Sequence, residues 1–172
     1  AIKLDTAISF TVESVASLTA AVNSFSKSGI TSAQVINKMA KVDQAFAVSS
    51  DDLAKAISRV GSSAVDAGVS MDELLAITTA VQQRTARGGA VIGNAFKTIF
   101  TRIGRTDVQK KLAAINVATR DMTTGALLPA TKVLENLADR FQHLGQTQQN
   151  QIAESVAGVF QVNILRAALG DL

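Results

Sequence analysis

Proline occurs once in this chain, at Pro129, and the 11 glycines fall mainly between segments of apolar periodicity. A sequence punctuated this way reads as helices that run until a glycine stops them. Start signals sit where the apolar stripes begin. Thr31 with Gln34 has capping-box spacing, and Ser49 with Asp52 repeats the start signal. Ser70 with Glu73 is the clearest, because Val69 and Leu74 can add a hydrophobic staple. Val35, Met39, Val42 and Phe46 follow the first start at helical steps; Leu53, Ile57, Val60 and Ala64 follow the second and are closed by Gly68. The helix opened by Ser70 runs to Arg87 and stops at Gly88-Gly89. Ile92, Phe96, Ile99 and Ile103 form the next stripe, up to Gly104.

Thr106 with Gln109 opens a short helix carrying Val108, Leu112 and Ile115. Residues 117–128 break the helical period, with the β-branched residues and turn glycine of a small hairpin or irregular loop. Pro129 sits where a first helical turn tolerates it, and Val133, Leu134, Leu137 and Phe141 lead on to Gly145. Thr147 opens a last helix whose Ile152, Val156, Val159, Phe160, Ile164 and Leu165 form a broad stripe. The expectation is an all-α fold: residues 30–172 form a compact bundle of about seven helices with one small irregular insertion.

Residues 1–28 read differently. In heptads, Ala1, Ile8, Val15 and Val22 take one seam position and Leu4, Thr11, Leu18 and Phe25 the other. β-Branched residues at a with Leu or Phe at d suit knobs-into-holes packing of parallel helices. The stripe is narrow, so the helix either joins copies of itself as the end of a coiled-coil rod or packs on its own domain. For copy number, this pattern leans towards dimers in simple peptides.

Composition closes off several classes. With 47% hydrophobic and 18% charged residues the chain is too apolar for disorder and rich enough for a packed core. It has no Cys, so disulfides, thiolate metal sites and Cys nucleophiles are excluded. A single His cannot supply a multi-His metal site. The longest charge-free runs, Ser14–Ser26 and Phe141–Ala153, have 13 residues each, against the roughly 20 mostly apolar residues of a bilayer span. The chain opens Ala1-Ile2-Lys3-Leu4-Asp5 without a signal-peptide pattern and reads like the middle of something longer.

No constellation supports catalysis. Gly88 to Gly93 has the glycine spacing of a phosphate loop but lacks the Lys and hydroxyl residue that should follow, and Lys97-Thr98 comes a turn too late. Gly89 and Gly93 fit close helix packing better. Asp51-Asp52 and Asp72-Glu73 sit in first helical turns, where the helix dipole favours negative charge. His143 lies near a helix end, and a nucleophile elbow is absent. One feature does stand out electrostatically. Arg84, Arg87, Lys97, Arg102, Arg105, Lys110 and Lys111 face one acid, Asp107, over 84–111. This is either a contact patch for phosphate or an acidic surface, or a solvated helix face. Without interleaved aromatics or a groove-reading motif, sequence-specific nucleic-acid readout is not expected.

Four segments carry a resemblance: Ser50–Ile57, Ala67–Leu74, Gln83–Ile99 and Val156–Leu165. The third (QRTARGGAVIGNAFKTI) and fourth (VAGVFQVNIL) are long and unusual. From about Val35 onward the chain closely resembles the core region of bacteriophage tail tape measure proteins; residues 1–30 match only in being helical. The resemblance implies a structural virion protein that fills the tail tube, sets its length during assembly and leaves ahead of the DNA. It implies no catalytic residue and no cofactor. The implied partners are further copies of the chain, with three preferred from the symmetry of the tail, the tail tube and tail-tip or baseplate hub proteins, and tail assembly chaperones. The implied locations are the virion and, during assembly, the host cytoplasm. Host inner membrane contact during ejection is a further expectation, through Val91–Ile103 and Ile152–Leu165. The rival class is a plain helical interaction module, with an enzyme acting on cell-wall polymers as a third.

Overall fold

The computed structural model describes residues 12–26, 29–46 and 48–170. Within them the chain forms nine α-helices and no strand. They are α1 (Val12–Phe25), α2 (Ser32–Phe46), α3 (Ser50–Asp66), α4 (Met71–Thr85), α5 (Gly89–Ile103), α6 (Thr106–Ala114), α7 (Ala130–Phe141), α8 (Gln146–Ala157) and α9 (Val162–Leu169), with a 3₁₀ turn, Val159–Gln161, between the last two. The all-α expectation holds.

Local chemistry sets most of the starts. Thr31 and Gln34 bond reciprocally, the Thr31 N–H donating to Oε1 at 2.9 Å and the Gln34 N–H to Oγ1 at 3.3 Å. Ser70 and Glu73 close the same box, with Val69 and Leu74 both buried beside it. The Ser49 hydroxyl accepts the Asp52 N–H. Gly68, at φ +71°, follows the end of α3, and the Val69 N–H returns to the Ala64 carbonyl at 2.8 Å, a left-handed stop that glycine makes without strain.

The centre of the molecule is the α3–α5 pair. Gly89 and Gly93 face the α3 backbone so closely that a Cβ at Gly89 would overlap the Asp52 carbonyl, and one at Gly93 would meet the Ala56 carbonyl and Arg59. Small residues here do let two helices touch. Leu53, Ile57, Val60, Ile92, Phe96 and Ile99 fill this core, and the Phe96 and Phe100 rings stack 5.5 Å apart. On its other side α3 carries α1, packed at Gly61 against Ser24. α8 and α9 cover α5, and α9 also packs on α4 and α7.

Several sequence expectations need correction. The last helix is not continuous. Gly158 adopts φ 71°, ψ 165°, and the chain bends by 107° between α8 and the segment that follows. The apolar stripe therefore splits. Ile152, Val156, Ile164 and Leu165 are buried, while Val159 and Phe160 stand at the corner, 72% and 93% exposed. Thr147 does not open α8; the helix starts at Gln146 after Gly145, and the Gln149 side-chain amide bonds the Phe141 and Leu144 carbonyls that end α7. Thr106 does begin α6, as its sequence suggests, with Arg105 at the cap position. Phe46, read as a core position, ends α2 half exposed. Residues 117–128 form an irregular loop with one antiparallel bridge, Arg120 with Leu127, as one of the two readings of that stretch expected.

Candidate functional site

The seven bases of 84–111 do not share one surface role. Arg102, half-buried at the end of α5, donates from Nε to the Ser155 carbonyl at 2.9 Å and from Nη2 to the Glu154 carbonyl at 3.3 Å. Lys111 reaches the Ser155 hydroxyl at 3.0 Å, and that hydroxyl donates to the Gln151 carbonyl at 2.7 Å. Both cations therefore meet the last turn of α8, where unsatisfied carbonyls and the helix dipole favour positive charge. Arg84 donates to the Gly170 carbonyl beyond α9 at 2.8 Å. Arg105 pairs with Asp107 at 3.1 Å. Desolvation raises the Asp107 carboxyl, but the charge and hydrogen bond of Arg105 together with the backbone N–H groups of Asp107 and Val108 outweigh it and hold the group below the usual carboxylate range. Arg87, Lys97 and Lys110 are exposed.

The seam residues divide as well. Ala1, Leu4, Ile8 and Thr11 lie outside the described residues, and so does the Val15 side chain. Phe25 is 1% exposed in this chain's own core, and Leu18 and Val22 pack partly against it.

At the N-terminus of α5, where a phosphate loop would bind its anion, a carboxylate is already seated. Asp52 Oδ1 accepts the Gly89 N–H at 2.9 Å and Oδ2 the Gln82 amide at 3.4 Å; Gln82 in turn accepts the Gly88 N–H at 2.9 Å. Gly88 has no side chain to cap with, so α3 and α4 supply the cap from outside. Local sequence signals missed this, because Asp52 and Gly89 lie 37 positions apart. They missed the Thr131 hydroxyl on Glu73 at 2.7 Å for the same reason. Among the described residues no group of three or more His, Cys, Asp or Glu could hold a metal, and His143 is exposed just past α7. A groove of about 720 Å³ between α6 and α8 is lined in part by Ala114, Ile115 and Ile152.

Fold and side chains together define a helical structural module, whose charged groups brace helix ends and whose glycines bring backbones together. The chain matches the phage-related minor tail protein family over residues 1–158 and belongs to it. Membership gives it a structural role in the virion tail, in association with other tail components. No solved structure matches the chain.

Proposed function

We propose that this chain is a segment of a tail tape measure protein, which occupies the tail tube, sets tail length during assembly and is released ahead of the DNA. The observation that carries the reading concerns the two stretches with the most distinctive resemblance, 83–99 and 156–165. Far apart in sequence, they pack as one unit: α9 rests on α4 and α5, and α8 on α5. The resemblance thus follows a folded core rather than scattered short matches.

The physical mechanism needs no active site. A helix advances about 1.5 Å per residue, so a stiff helical chain converts residue count into distance. Residues 1–28 would be the end of such a rod, with three copies joined along Leu4, Ile8 and Val15. Residues 30–172 would be the globular stop that docks at one end of the tail, against tube and hub proteins. Phe25, Leu18 and Val22 already contact this chain's bundle, so a seam joining copies would draw chiefly on the residues before them. All the bases of the patch except half-buried Arg102 are exposed. Of these, Arg87, Lys97 and Lys110 would be the ones to meet acidic tube or hub walls, since Arg84, Arg105 and Lys111 also bond within the chain.

Mass spectrometry of purified virions, before and after triggered ejection, tests this assignment. The chain is expected in intact tails and depleted from spent ones. Equal amounts in both would exclude release ahead of the DNA.

A second reading, contact with the host inner membrane during ejection, draws on one feature. No single described helix is long and apolar enough to cross a membrane, but Gln146–Ala157 with Val159–Leu169, bent by 107°, passes together by length and composition. Ile92, Phe96, Ile99 and Leu165 are core residues, so insertion would require the bundle to open. Leakage from liposomes on adding the purified chain is the expected sign, and intact liposomes under all conditions would remove this reading.

A further inference from the structure

The ends of α3 and α5 and the lead-in to α7 enclose a cavity of about 390 Å³, within the roughly 300–1,000 Å³ of ligand sites. Backbone bonds hold its walls: the Ala130 N–H donates to the Ala67 carbonyl at 2.9 Å, and the Leu128 N–H to the Thr119 carbonyl at 3.0 Å. Phe100, Ile103, Leu127 and Pro129 make the lining largely apolar, and Leu127 is half exposed. Asp66, also exposed, is the one charged residue in that lining.

Asp66 is the last residue of α3, the end of a helix where the dipole disfavours an anion and favours a cation. Among the described residues no cation pairs with it and no donor reaches its carboxylate. The bases nearest the lining in sequence are committed elsewhere. Arg102 holds the last carbonyls of α8, Arg105 pairs with Asp107, Arg120 bonds the Gly125 carbonyl and the Gln109 side chain, and Lys132 pairs with Glu135. The start of α7, also in the wall, spends its first N–H on Ala67. The cavity therefore carries one uncompensated negative charge beside an apolar surface.

We propose that this cavity binds an ammonium group on a short alkyl stem, the chemistry of a lysine side chain offered by a neighbouring tail protein. Charge selects the sign, because a lone carboxylate attracts a cation and repels an anion. The α6–α8 groove, with two bases and two acids, would select neither. The lining selects the stem: lysine methylenes bury against Phe100 and Leu127 while the ammonium stays wet beside Asp66. A bare metal ion would find a single carboxylate there, too few ligands to hold it. The inference rests on membership of a tail family, which supplies the neighbours, and is independent of the ruler assignment.

Two measurements test it. In amide NMR spectra of the chain, n-butylammonium should shift residues 66–68, 101–104 and 127–130 saturably. Its neutral analogue n-butanol should bind about two- to five-fold more weakly, the worth of an exposed ion pair. Asp66→Asn should erase that difference without changing the helical circular dichroism, since the native side chain bonds nothing in its own chain. In intact tails, carbodiimide coupling of carboxylates to amines should join Asp66 to a lysine of another tail protein, read by mass spectrometry of the linked peptides. Equal affinity for amine and alcohol, a preference that survives Asp66→Asn, or shifts confined to other residues overturns the site. Tails in which other carboxylates of this chain are cross-linked and Asp66 is not overturn the lysine partner.

Discussion

Asp52 does the work of two residues. Its backbone N–H takes the Ser49 cap at the start of α3, while its carboxylate caps α5 through Gly89 and steadies Gln82 on α4. Asp52→Ala leaves the Gly89 N–H without its partner and should cost about 1–2 kcal/mol, in the range for losing a helix cap. Urea denaturation measures it, and an unchanged midpoint would contradict the bracing role. Glu73 gives a pH signature. Partial burial pushes its carboxyl up, but hydrogen bonds from the Ser70 hydroxyl and N–H and the Thr131 hydroxyl prevail and hold it below the usual range. A depressed carboxyl stabilises the fold above its unfolded pKa of about 4.3 and loses that contribution as pH falls through the folded value. The difference in melting temperature between the native chain and Glu73→Gln should therefore be largest near neutrality and shrink below about pH 4. A constant difference would rule the linkage out. The cap itself was legible from Ser70-x-x-Glu73, because it is local. The Thr131 contact, 58 positions away, had no local signal.

At the scale of elements, apolar periodicity identified the buried faces of α3, α5 and α7 well, because each of those helices buries one side along its length. It misled at α8 and α9. Ile152, Val156, Val159 and Phe160 keep helical spacing through Gly158, and periodicity alone registers no bend. The bend depends on a backbone conformation at Gly158, φ 71° and ψ 165°, that other residues essentially do not adopt. Gly158→Ala should destabilise the bundle by roughly 1–3 kcal/mol, seen as a lower thermal midpoint and faster hydrogen exchange in α9. Unaltered exchange there would mean the turn does not depend on glycine. α1 offers a second test. A Cβ at Gly61 would sit 2.6 Å from that of Ser24, so Gly61→Val should lift α1 from α3 and raise hydrogen exchange across 16–25 while leaving α5 protected. If α5 loosened equally, α1 would be an inseparable part of the core.

For the whole molecule, helix class and core membership were legible because capping and burial follow sequence spacing. The partners of the individual bases were not, because the cations of 84–111 were counted along the chain. In three dimensions Arg102 and Lys111 turn inward to the end of α8, Arg84 turns to Gly170, and Arg105 pairs with Asp107. Replacing Arg87, Lys97 and Lys110 by Ser should thus leave stability within about 0.5 kcal/mol while weakening tail assembly in a salt-dependent way. Wild-type titres at every ionic strength would remove the acidic-wall contact. The ruler assignment is tested most directly by tail length in the phage itself. Removing about 20 residues of helical sequence, as whole heptads upstream of the bundle, should shorten tails by about 30 Å in electron micrographs, with the shortening proportional to the deletion. Tails of unchanged length would contradict it.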